Sequence, residues 1–198
     1  MKFVIATKNQ KKKLELERIL APMGFEVLCE ADLDAPLPEV EETGDTFEAN
    51  ALLKARSACK ATGMAAIADD SGLCVDSLDG EPGVYSARYG LPGWDDRQRT
   101  EHLLHNLENV PEKERTARFV SAVCCVLPDG RSLTLRGECE GSIDFEPHGE
   151  NGFGYDPVFL VGSKTFSEMD ASEKDLVSHR GRALRLLQQK LPDFVRGE

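Results

Sequence analysis

Two β-rich runs, residues 115–127 and 131–145, are separated only by Pro128-Asp129-Gly130. So short a turn-forming link between long runs makes a hairpin, and a hairpin commits any sheet containing it to some antiparallel pairing. Around it, helix and strand periods alternate. Residues 3–6 form a short apolar strand, and residues 12–20, apolar at 14, 16, 19 and 20, have helical spacing closed by Pro22 and Gly24. A strand is expected over 25–28 and a loop over 30–45. A helix then starts at a capping box in Asp45-Thr46-Phe47-Glu48 and runs to about Thr62, stopped by Gly63. Residues 65–68 read as a buried strand ending in a turn, Asp69-Asp70-Ser71-Gly72. Residues 79–93 should be mostly loop, 95–107 helix, 147–156 a Gly-rich loop, 158–161 strand and 182–191 helix. This alternation, with one long hairpin, predicts an α/β fold on a mixed sheet.

The 198 residues suit one domain, or one domain of two lobes. The 24 Lys+Arg against 35 Asp+Glu leave a formal net charge of -11. That argues against a nucleic-acid or anionic-membrane surface, because both need clustered excess positive charge. An anionic ligand must instead meet a local basic cluster or a bound cation. No apolar run reaches the roughly 18 residues of a membrane span, and residues 3–6 are too short for the apolar region of a signal peptide. Cysteines 29, 59, 74, 124, 125 and 139 form neither C-x-x-C nor a zinc spacing. They read as small buried hydrophobes in a reducing cytoplasm.

Five stretches can carry chemistry, and each also has a plainer reading. Thr7-Lys8-Asn9-Gln10-Lys11-Lys12 lies between strand and helix, where free backbone N–H groups and lysines attract phosphate; taken alone it reads first as a helix cap with a solvated basic face. Asp69-Asp70 offers two adjacent carboxylates that can hold a hard cation and activate water, or form a turn. Glu39, Glu41 and Glu42 precede Asn50 and Lys54, which share a helix face; these glutamates can hold a metal or offset a helix dipole. Residues 149–156 are Gly-rich, and Phe153 or Tyr155 can stack on a flat base. Ser178-His179-Arg180, with Lys174 upstream, can donate to a keto-bearing base or a phosphate, or form a surface helix start.

Taken together and in order, these blocks resemble the inosine triphosphate pyrophosphatase family over nearly the whole chain. The resemblance rests on Thr7, Asn9 and Lys12, on Glu42-Thr43-Gly44-Asp45-Thr46-Phe47, on Asn50-Ala51 and Lys54-Ala55, and on Asp69-Asp70-Ser71-Gly72-Leu73. It continues in Pro82-Gly83-Val84-Tyr85-Ser86-Ala87-Arg88-Tyr89, Gly152-Phe153-Gly154-Tyr155-Asp156-Pro157 and Ser178-His179-Arg180. One departure is Lys11, where many members carry glycine.

The resemblance implies a single domain over residues 1–198. It implies an elongated mixed sheet with flanking helices and two lobes around a central cleft. It also implies a cytoplasmic, magnesium-dependent homodimer that hydrolyses ITP, dITP and XTP to monophosphate and pyrophosphate. Thr7, Lys8, Asn9, Gln10, Lys11 and Lys12 would cradle the phosphates, with Lys54 adding charge. Asp70 would be the general base and a metal contact, ionised at neutral pH. Glu42 would be the second metal contact, with Glu39 and Glu41 close enough to compete. Ser71 would touch substrate; Phe153, Gly154, Tyr155, Asp156, Lys174, His179 and Arg180 would form the base and ribose pocket. Two rivals stay open: a related pyrophosphatase acting on modified pyrimidine nucleotides, and a non-catalytic nucleotide-binding module.

Overall fold

A computed structural model describes residues 1–7 and 9–197, apart from the side chains of Gln10, Lys11, Glu15 and Ile19. The phosphate contacts expected of Lys8, and of the Gln10 and Lys11 side chains, lie outside the described residues. The strands are β1 (Lys2–Ile5), β2 (Glu26–Leu28), β3 (Ala65–Val75), β4 (Thr116–Val126), β5 (Ser132–Ile143), β6 (Phe159–Val161) and β7 (Lys164–Thr165). The helices are α1 (Gln10–Leu20), α2 (Phe47–Thr62), α3 (Asp96–Asn106), α4 (Ala171–Val177) and α5 (His179–Arg196). The strands hydrogen-bond in the order β2-β1-β3-β4-β5-β6-β7. β1 runs parallel to β2 and β3, while β5–β6 and β6–β7 are antiparallel, so the sheet is mixed as expected. β4 and β5 are the predicted hairpin, closed where Leu127 N–H donates to Arg131 O.

The chain divides into two compact units: Met1–Asp70, Ser121–Gly137 and Arg180–Glu198 form the first, Ser71–Val120 and Glu138–His179 the second. In the first, Phe3, Ile5, Ala65 and Ile67 pack with Leu16 and Leu20 of α1 and Ala183, Leu184, Leu187 and Leu191 of α5. All four strand residues are odd-numbered, so by strand alternation they share one face. In the second unit, Phe119, Phe159 and Phe166 meet ring to ring at 4.7–5.7 Å among Leu73, Val75, Leu103 and Val158. Arg115, 1% exposed, donates to the carbonyls of Leu107, Ile143 and Asp144 at 2.7–2.8 Å. Its charge thereby caps carbonyl oxygens at the end of α3 and of β5.

The local signals place most elements within a few residues. Thr46, not Asp45, caps α2, its hydroxyl accepting from Ala49 N at 3.1 Å, and Gly63 ends the helix at φ 67°. Three expectations change. β3 does not stop at residue 68; it runs through Asp69-Asp70-Ser71-Gly72 to Val75. A turn there would expose Leu73 and Val75, both fully buried in the second core. The 79–93 stretch contains a 3₁₀ segment, Gly83–Arg88. Helix α5 starts at His179 and is preceded by α4, which the sequence reading left out. Its signal was legible: Asp170 and Glu173 form a reciprocal capping box.

Candidate active site

Asp69 and Asp70 are neighbours on β3 and therefore point to opposite faces. Asp69 continues the face of Ala65 and Ile67 and meets α1 and α5. Its Oδ2 lies 3.0 Å from Lys12 Nζ and accepts from Arg180 Nε at 3.2 Å. Asp70 meets α2 instead: Lys54 Nζ is 3.0 Å from Oδ1 and Asn50 Nδ2 is 3.3 Å from Oδ2. Strand alternation thus sends the two adjacent carboxylates to different partners.

Glu42 joins Asp70 through the same ammonium, Lys54 Nζ standing 2.8 Å from Glu42 Oε1. The loop reaches that position because Gly44 lies against α2, its N–H donating to Asn50 Oδ1 at 2.8 Å. A Cβ on Gly44 would sit 2.7 Å from both Ala49 Cβ and Asn50 Oδ1, so only glycine fits this approach. Glu39 and Glu41 are exposed. Thr7 Oγ1 accepts from Asn9 N at 3.2 Å, and Asn9 Oδ1 accepts from Lys12 N at 3.2 Å. The segment before α1 is therefore a helix cap that also aims Lys12.

Charge and burial compete in this cluster. Burial alone would push the Asp69 carboxyl up, yet Lys12, Arg180 and Lys54 together outweigh it and hold Asp69 well below the usual range. For Asp70 the balance reverses: burial lifts its pKa, Lys54 opposes, and Glu42 adds to the rise. The sequence alone pointed to a carboxylate shifted further toward ionisation, because it shows the cations and not the desolvation. Burial also lowers Lys12, against the pull of Asp69. Lys54 is raised, its three carboxylate neighbours outweighing burial.

The second unit holds the Gly-rich loop. Asp156 Oδ2 accepts from Lys174 Nζ at 2.6 Å and from Phe153 N at 2.8 Å. A Cβ on Gly152 would approach that oxygen to 2.0 Å, and Gly152 sits at φ 77°, so glycine is doubly required. Lys174 Nζ lies 5.1 Å from the Phe153 ring centroid and 5.3 Å from that of Phe166. Tyr155 is buried and donates to Ser86 O at 2.9 Å; it packs in the core, while Phe153 keeps part of its surface exposed. Gly154 N–H donates to Asp96 Oδ2 at 2.9 Å. His179 stacks on Phe119, centroids 4.7 Å apart and planes within 11°. Lys174, Ser178, His179 and Arg180 are all buried, so the surface-patch reading of that stretch falls away. Ser71, half-buried, follows Asp70 along β3.

The chain as a whole has known counterparts. The Ham1 family model matches residues 3–190. The chain belongs to the Ham1 family. A dITP/XTP pyrophosphatase from an Exiguobacterium species is 53% identical over 200 residues, covering 100% of both chains. A solved Ham1 structure from Coxiella burnetii superposes with a TM-score of 0.89 at 38% identity, covering 98% of this chain and 99% of that one. The Mycobacterium abscessus structure titled nucleoside-triphosphatase / dITP/XTP pyrophosphatase gives 0.78 at 48% identity, covering 94% and 98%. The motif resemblance and the α/β fold it implied agree with this membership.

The sequence pattern takes Asp69 only as one of a pair with Asp70, whereas the structure gives it partners of its own. The pattern also misses Asp96, which holds Gly154. The Asp69 signal was present in strand alternation, provided that β3 is read as continuous through residue 70. Asp96 follows its N-cap Asp95 and reads as an ordinary first-turn acid, so nothing local marks its grip on a loop 58 residues away.

Proposed function

We propose that this protein hydrolyses the non-standard purine nucleoside triphosphates ITP, dITP and XTP to the monophosphate and pyrophosphate. The observation that carries the reading is the Asp70 carboxylate, held by Asn50 and Lys54 with its pKa raised by burial. A carboxylate whose pKa is raised is a stronger base. It takes a proton from water, the water oxygen bonds to the α-phosphorus, and the α–β bridging bond breaks with its electrons on pyrophosphate. Thr7, Asn9, Lys12 and Lys54 bind the phosphates, together with Lys8, Gln10 and Lys11. Phe153, Gly154, Asp156, Lys174, His179 and Arg180 bind base and ribose; Tyr155 supports that loop from the core, and Ser71 touches substrate.

The charge balance supports a divalent cation. Lys12, Lys54 and Arg180 face Asp69, Asp70 and Glu42, three cations against three carboxylates. A triphosphate brings more negative charge to that set than Lys8 and Lys11 offset, and a bound cation would supply the balance. Glu42 and Asp70 converge on one cationic atom and offer hard oxygen donors, a set that suits Mg²⁺. When bound, Mg²⁺ neutralises charge developing on the leaving pyrophosphate. The reading includes a homodimer of single-domain subunits, residues 1–198, in the cytoplasm. The described cysteines are all free thiols, and no described helix is long and apolar enough to cross a membrane.

Pyrophosphate release from ITP, XTP, ATP, GTP, CTP and UTP tests the reading. Hypoxanthine and xanthine carry a keto oxygen at C6, where adenine would leave a buried donor unpaired. A contact at C2 must reject guanine. The expected kcat/KM for ITP and XTP exceeds that for ATP and GTP by at least about 10²-fold. Equal values for ITP and ATP would refute the base pocket; preference for CTP or UTP would favour a pyrimidine enzyme.

A further inference from the structure

Asp69 is 2% exposed, and one of its oxygens serves two cations that come from opposite ends of the chain. Lys12 Nζ from α1 lies 3.0 Å from Oδ2, and Arg180 Nε from α5 donates to the same atom at 3.2 Å. Lysine and arginine side chains otherwise have wide rotamer freedom. Tethering both to one rigid strand oxygen removes that freedom before any substrate arrives. It also sets the distance between an ammonium and a guanidinium that would repel each other without the carboxylate.

We propose that Asp69 is a positioning residue that acts through Lys12 and Arg180, holding the phosphate-binding ammonium and the base-reading guanidinium in one register. The proposal rests on the pyrophosphatase reading and names what keeps its two ends in step. In this role Asp69 acts only through the two cations it holds. Binding the phosphates through Lys12 and selecting the base through Arg180 are therefore linked through a single oxygen.

Asp69→Asn keeps the shape, removes the charge and turns an amide toward two cations. The expected result is a kcat/KM for ITP lowered about 10²-fold, the scale of a small misplacement of binding groups. The ratio of ITP to ATP efficiency should also shrink about tenfold, a 1.4 kcal/mol change. A merely structural loss lowers both substrates alike and leaves that ratio unchanged, which would overturn the proposal. In an Arg180→Ala background, Asp69→Asn should no longer move the ratio, since coupled residues are non-additive. A full additional drop would equally overturn it. If Asp69→Asn does not fold, ¹⁵N-arginine-labelled wild-type protein decides. The Arg180 Nε–H should stay protected from solvent exchange with and without pyrophosphate; loss of protection on adding pyrophosphate would mean that Arg180 leaves Asp69. Wild-type protein that releases no pyrophosphate from ITP would sink the functional reading instead, so the two failures are distinguishable.

Discussion

In the first unit, buried charge is shared: Lys54 divides itself between Glu42 and Asp70, and Asp69 between Lys12 and Arg180. In the second, Lys174 and Asp156 make a tight contact at 2.6 Å, with the lysine beside two phenylalanine rings. A carboxylate with two cations, as Asp69 has, keeps one of them paired while the other also meets a polyanion. A close pair among rings is a clamp, and its partners have little reason to separate. The first arrangement suits phosphate chemistry, and the second suits holding a Gly-rich loop in one shape.

The strongest way to break this contrast is Asp70→Asn. Removal of the proposed general base should lower kcat about 10²–10⁴-fold with KM little changed. Pyrophosphate release at saturating ITP measures it, and near-wild-type turnover would move the chemistry off Asp70.

Asp156→Asn probes the clamp. It leaves the buried Lys174 ammonium without its carboxylate, a change that costs about 3–5 kcal/mol. For a chain of this size the melting temperature should fall by roughly 10 °C. Calorimetry reads this directly; a drop below about 3 °C would mean that the pair is no clamp.

Lys12→Ala tests the shared network. Asp69 keeps Arg180, so the fold should survive while KM for ITP rises about tenfold, equivalent to 1.4 kcal/mol. The defect should narrow at high salt as screening grows. Unchanged KM and kcat would place the phosphate grip elsewhere.

The smallest effect sharpens the rule for burial without cations. Cys125, beside Cys124 and Cys59, has its pKa pushed up to about 12 by burial. The unfolded thiol titrates near 8.5. Between those values the unfolded state binds fewer protons, so stability falls as pH rises from about 8.5 toward 12. Cys125→Ala should flatten part of that alkaline slope in urea titrations. In native protein near pH 8.5, iodoacetamide should leave Cys125 unmodified, while all six thiols react in denaturant.

The sequence by itself determined the helix caps, the hairpin, the mixed α/β pattern and the blocks that carry the family resemblance. Thr46 and Gly63 bound α2, and Pro128-Asp129-Gly130 joins β4 to β5, because caps and turns are settled by residues a few positions apart. Gly44 and Gly152 were legible as parts of motifs, though what each one touches was not. Only the tertiary structure decided which partners each aspartate meets. Arg180 reaches Asp69 across 111 residues, and Lys54 and Asn50 reach Asp70 across 16 and 20. Whether burial or a neighbouring cation governs a carboxyl depends on how many partners converge, and that number exists only once the helices have packed on both faces of β3. In the second unit, tertiary packing puts Tyr155 in the core and His179 against Phe119, positions that no local period encodes.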